Sequence, residues 1–115
     1  MTSNTIRTHV ISLLNWQDAH VGFDTAIEGI PSELYGSQPI GLPYSPWQLL
    51  EHMRIAQNDI LDFCLNPNYK EMTWPTDYWP ESIAPDSRKA WDESIDNFNA
   101  DLEALKKLAY KKFKV

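Results

Sequence analysis

The chain has 115 residues, 43% hydrophobic and 23% charged, with a formal net charge of −6, which suffices for one globular domain and leaves no room for two. No apolar run reaches the length of a membrane span, and Met1-Thr2-Ser3-Asn4 lacks the basic and apolar regions of a signal peptide. The single cysteine, Cys64, excludes an internal disulfide and a thiolate-built metal site, so the expectation is a soluble cytoplasmic protein without a membrane partner.

Charge is unevenly distributed. All 16 acidic residues lie at or before Glu103, whereas Lys106, Lys107, Lys111, Lys112 and Lys114 make up half of the ten basic ones. A nucleic-acid binder needs a basic face that displaces counterions, and the body of this chain is acidic, so no nucleic-acid partner is expected. The lysines fit the last turns of a helix, where cations complement the dipole.

Three long stretches are free of proline and show helical rather than alternating hydrophobicity, which predicts an all-α fold. The first predicted helix covers about 3–28 and stops at Gly29-Ile30-Pro31. Ile6, Leu13, His20 and Ile27 fall seven apart, with His9, Trp16, Phe23 and Ile30 interleaved, so His20 stands in an otherwise apolar seam.

Residues 29–44, with Pro31, Gly36, Pro39, Gly41 and Pro43, form a long connection for a helical domain. The second helix, predicted over 46–65, then opens on Ser45-Pro46-Trp47-Gln48: an N-cap serine, a proline in the first turn and a glutamine three residues after the cap. Leu49, Met53, Ala56, Ile60 and Phe63 mark its apolar seam, and His52 lies beside that seam at the border of the core. Cys64 near its end reads as a buried, inert thiol.

A second long connection, residues 66–84, carries Tyr69, Trp74, Tyr78 and Trp79 among Pro67, Pro75 and Pro80. So many aromatics and prolines predict an ordered loop, either a cap over the bundle or a wall of a ligand pocket. The third helix, predicted over 87–112, places Trp91, Ile95, Phe98, Leu102, Leu105 and Ala109 on one face, with Asp92, Glu93, Asp96, Asp101 and Glu103 as a solvated outer face.

There is no phosphate-binding turn, nucleophile elbow or paired-cysteine motif. The chemistry-bearing pair is His20 with His52: if the first two helices pack antiparallel, both lie roughly 10–13 Å from the same end. Two imidazoles on facing helices can begin a metal site, although a catalytic one normally has three protein ligands. His9, about 16 Å further along the first helix, does not join them. Glu51, Asp24 and Asp59 are the oxygen donors nearby, and their spacing singles none out. Buried histidines satisfied by polar neighbours are the other reading of the same pair.

Ala19-His20-Val21-Gly22-Phe23 and the segment Gly41-Leu42-Pro43-Tyr44-Ser45-Pro46-Trp47-Gln48-Leu49-Leu50-Glu51-His52-Met53-Arg54 resemble the DinB-like (DNA-damage-inducible) superfamily. Trp74-Pro75, Tyr78-Trp79-Pro80 and Trp91 look like a bacterial subgroup of it, and the likeness spans residues 6 to 110. The resemblance implies an up-down helical bundle of four helices with a nickel- or zinc-type centre held by three histidines. Some members are thiol-dependent transferases or isomerases. His52 matches the family ligand on the second helix. The other two come from a histidine pair four apart on a fourth helix, which this chain lacks, so the expectation is three long helices and an incomplete metal centre.

Two expectations follow from that resemblance. One is a degenerate or truncated member without the full three-histidine site, in which His52 and then His20 are the remaining candidate ligands. The other is a divalent-metal-dependent thiol or small-molecule transferase whose site is completed by a second chain, or by His20 and a carboxylate. In either case three amphipathic helices leave a groove where a fourth would pack, which predicts a homodimer.

Overall fold

The computed structural model describes residues 23–112. Those residues are helical, without strands, and form α1 (Phe23–Glu28), α2 (Pro46–Leu65) and α3 (Arg88–Lys112), with 3-10 turns at Ser32–Leu34 and Thr76–Tyr78. Among them no helix is long and apolar enough to cross a membrane. The described residues divide into two compact units, 31–101 and 23–30 with 102–112. In the latter, α1 ends at Glu28 just before Gly29, and the Ile30 amide closes a turn onto the Ile27 carbonyl at 3.2 Å. The earlier part of the first predicted helix, with His9 and His20, lies outside the described residues.

Within residues 31–101 the predicted start of α2 is met in full. Ser45 is the N-cap: its Oγ accepts from the Gln48 amide at 3.1 Å, while Gln48 Oε1 accepts from the Ser45 amide at 2.9 Å. Two of the amide groups that a helix start leaves without intrahelical partners are satisfied in this way. A third partner comes from the preceding loop, where the Tyr35 carbonyl accepts from the Trp47 amide at 2.9 Å. Ser45 Oγ also donates to the Ile83 carbonyl at 2.5 Å, so one fully buried hydroxyl ties α2 to both long connections at its start.

Around this start lies an aromatic core. Tyr35 stacks on Trp91 with ring centres 3.7 Å apart, and Trp47 packs against Trp91 at 6.3 Å, all three buried with Leu50. Trp47 Nε1 is buried there without a hydrogen-bond partner. Gly36 is required by this packing, because a Cβ there would lie 2.5 Å from the Ala84 Cβ. At Gly41, φ is +86° in a tight turn closed by the Leu42 amide on the Pro39 carbonyl at 3.0 Å, a conformation that favours glycine.

α2 and α3 run parallel. Glu51 accepts from Ser94 Oγ at 2.7 Å, Gln57 donates to the Phe98 carbonyl at 2.8 Å, and Asn58 donates to Asp101 at 3.1 Å. Their sequence separations are 43, 41 and 43, so position advances together on both helices. An antiparallel pair would instead keep the sum of the residue numbers constant. The up-down order expected for the bundle therefore does not hold for this pair. The long second connection has its physical cause here, since a parallel neighbour requires the chain to travel back along α2, about 30 Å for its 20 residues.

The crossover can be followed on its way back. Tyr69 meets Asp59 and Phe63, Tyr78 meets Asp59 and His52, Trp79 meets His52 and Tyr44, and Ile83 meets Ser45. As the crossover advances, its partners recede along α2. Its aromatics are the means of attachment.

Several expectations about burial are corrected. The predicted seam of α2 is not its buried face: Leu49, Met53, Ile60 and Phe63 are 40, 43, 55 and 68% exposed, and the buried residues are Trp47, Leu50 and Leu61. The buried stripe is one residue out of step with the predicted one, about 100° around the helix. The half-buried Arg54 and Gln57 lie along it, so hydrophobicity alone selects its more apolar neighbour. Cys64 is exposed, not buried, because it lies beyond Leu61, the last buried residue of α2. On α3, Trp91, Phe98 and Ala109 are buried, while Ile95, Leu102 and Leu105 are half-buried, as its periodicity predicts. Asp101, assigned to the outer face, is half-buried and holds Asn58.

Candidate functional site

His52 sits on α2 where the crossover passes. Its Nδ1 lies 2.7 Å from the Tyr78 backbone carbonyl. A carbonyl oxygen only accepts, so Nδ1 carries the proton and donates it, and in the neutral ring Nε2 holds the free lone pair. The imidazole stacks on Trp79 at 3.9 Å and 7°, and Tyr44 stacks on the same indole at 4.3 Å and 15°. Two rings at those distances cannot share one face of one indole. Trp79 is therefore held between Tyr44 and His52, and Trp74 approaches the imidazole obliquely at 5.9 Å. Ring orientation is thus fixed by one hydrogen bond and one stack.

Seven residues further along α2, two turns up the same face, Asp59 receives two phenols from the crossover. Tyr69 donates to Oδ1 at 2.6 Å and Tyr78 to Oδ2 at 2.5 Å. Charge-assisted bonds of this length hold both phenols in the protonated form. Both hydroxyls are accordingly pushed above the ordinary tyrosine value, chiefly by the bond to Asp59, with desolvation and its negative charge adding to the effect. Glu71 contributes a further negative field at Tyr78. Beside this triad opens a cavity of about 590 Å³ lined by Asp59, Ile60, Phe63, Tyr69, Glu71 and Tyr78.

Glu51, the carboxylate nearest His52 in sequence, is committed elsewhere. It accepts from Arg54 Nε at 2.5 Å and from the buried Ser94, which makes it part of the link between α2 and α3. Asp59 accepts one tyrosine hydroxyl at each oxygen, which leaves further lone pairs on both. Asp24 has no described side chain, and His20 lies outside the described residues, so its juxtaposition with His52 is not described either.

The described contacts of His52 are the Tyr78 carbonyl, Trp79 and Trp74. No group of three or more His, Cys, Asp or Glu side chains among the described residues is arranged to hold a metal ion. His52 has one feature of a ligand: metal-bound histidines commonly donate their other ring N–H to a backbone carbonyl, which fixes the tautomer and orients the ring.

Sequence reasoning singled out His52 but missed the triad at Asp59. A signal was present, since His52 and Asp59 are polar residues on one face of a helix next to an aromatic connection. The partners themselves depend on the path of the crossover, which spacing does not specify.

No family model, curated protein or solved structure matches the chain.

Proposed function

We propose that this chain is a DinB-like helical domain of the degenerate kind, which lacks a full three-histidine centre and acts without catalysing a reaction of its own. The observation that supports this reading is the surroundings of His52. Its described neighbours are the Tyr78 carbonyl, Trp79 and Trp74, so the residue that matches the family ligand is held by aromatic packing. In this role His52 fastens the crossover to α2, and the ring that would hold a metal in a complete member supports the fold.

A second reading keeps catalysis: a nickel- or zinc-dependent thiol or small-molecule transferase whose missing ligands come from a second chain or from His20. The bond from Nδ1 to the carbonyl favours it, because it leaves Nε2 free in the tautomer a metal requires. A homodimer belongs to both readings, and the exposed Leu49 and Met53 on one face of α2 support it.

Metal analysis of purified protein after incubation with nickel or zinc separates the readings. The degenerate reading expects less than stoichiometric metal, unchanged in His52→Ala. Stoichiometric metal that is lost in His52→Ala establishes the transferase reading in its place. Sedimentation tests the dimer, and a folded monomer at micromolar concentration would remove it.

A further inference from the structure

We propose that the cavity beside Asp59 binds a small primary organic ammonium, with the charged head on Asp59 and Glu71 and an apolar arm on Ile60 and Phe63. It does not depend on what His52 does.

The chemistry of the lining leads to this class of ligand. Among the described residues, the side chains around the cavity supply two carboxylates, Asp59 and Glu71, and no cation. Among the described residues neither carboxylate is within ion-pair distance of a lysine, arginine or histidine. An anionic ligand is therefore repelled.

Hydrogen-bond polarity narrows the choice. Phenols ordinarily both donate and accept, but the hydroxyl protons of Tyr69 and Tyr78 are already directed at Asp59. What the lining side chains still offer is acceptors only: the remaining lone pairs of the Asp59 and Glu71 carboxylates and of the two phenol oxygens. The ligand must bring the donors. A primary ammonium brings three and a positive charge with them.

The rest of the cavity suits an organic cation rather than a bare metal ion. Phe63 stands edge-on to Tyr69 at 5.3 Å, so the lining that carries the two carboxylates also carries packed aromatic rings. Ile60 and Phe63 are 55 and 68% exposed, an apolar surface that an inorganic ion would not use and an alkyl arm would cover. A volume of about 590 Å³ is in the range of small-molecule sites. The site is open, so its electrostatic part weakens with ionic strength.

The test titrates the full chain with n-butylammonium chloride and, separately, with 1-butanol of the same shape, following amide shifts of residues 59–78 by NMR. Binding of the ammonium about tenfold tighter than the alcohol is expected, together with about fivefold weakening in Glu71→Gln, the scale of one screened ion pair. Glu71 is exposed, so this variant leaves the fold intact, and Asp59→Asn is the second variant, expected to weaken binding further. Equal affinity for ammonium and alcohol, absence of saturable shifts, or unchanged affinity in Glu71→Gln would each overturn the assignment. So would displacement by magnesium chloride beyond that caused by sodium chloride at equal ionic strength, which would give the carboxylates to an inorganic cation.

Discussion

Tyr78 holds His52 by its backbone carbonyl, at 2.7 Å from Nδ1, and reaches Asp59 two helical turns away with its hydroxyl. One crossover residue thereby spans both polar positions of this face of α2. The tautomer of His52 follows directly. At a pH where the ring is neutral, nitrogen-15 NMR should show Nδ1 protonated and Nε2 bare, the reverse of the tautomer that free imidazole side chains prefer. His52→Ala removes the bond and the stack on Trp79 together and should cost about 1–2 kcal/mol in urea unfolding. A protonated Nε2 with a bare Nδ1 would contradict the arrangement.

Alkaline pH should act on Asp59 and its two phenols. Their folded-state values are raised above the ordinary tyrosine value of 10.0. A raised value means that the folded protein keeps a proton the unfolded chain has released. Stability from these bonds is therefore complete below about pH 10 and withdrawn as pH rises past it. Phenolate absorbance should accordingly show a late-ionising part that disappears in a Tyr69→Phe, Tyr78→Phe double variant. Asp59→Asn should shift that part back toward the ordinary value, because it removes the acceptor and the charge.

Gly36 meets Ala84 more closely than any side chain would permit. A Cβ placed there would stand 2.5 Å from the Ala84 Cβ and 3.2 Å from its Cα, with backbone unable to yield cheaply. Gly36→Ala should therefore destabilise by about 1–3 kcal/mol. Ala84→Gly should return part of that loss in the double variant, measured as a coupling energy by denaturant unfolding. Additive effects would mean that the two loops do not touch at this point.

Local chemistry explains which parts of this structure were legible in the sequence. Ser45, Pro46 and Gln48 act within one turn of helix and set the start of α2 at Pro46, while Asn66-Pro67 sets its end at Leu65. Trp91, Phe98 and Ala109 were legible because α3 buries an apolar stripe. α2 misleads, since its contact with α3 runs through Glu51, Gln57 and Asn58, and polar side chains leave no hydrophobic period. Aromatics at 69, 74, 78 and 79 announced an ordered connection, but their partners depend on the direction of α3, which no local pattern records.

That direction is open to a direct test by thiol cross-linking. Asn58 and Asp101 join side chain to side chain at 3.1 Å, so cysteines at these two positions should be bridged by a short bifunctional thiol reagent. Cys64 is exposed and would compete for the new thiols, so Cys64→Ser is the necessary background. Asp62→Cys paired with Asn97→Cys is the control, because positions four after 58 and four before 101 meet only if the helices cross antiparallel at Asn58–Asp101, and lie about 12 Å apart along the axis in a parallel pair. The parallel pair predicts bridging in the first combination and none in the second. Bridging in the second combination as well would mean that α3 runs against α2, and the crossover would then need another explanation for its length.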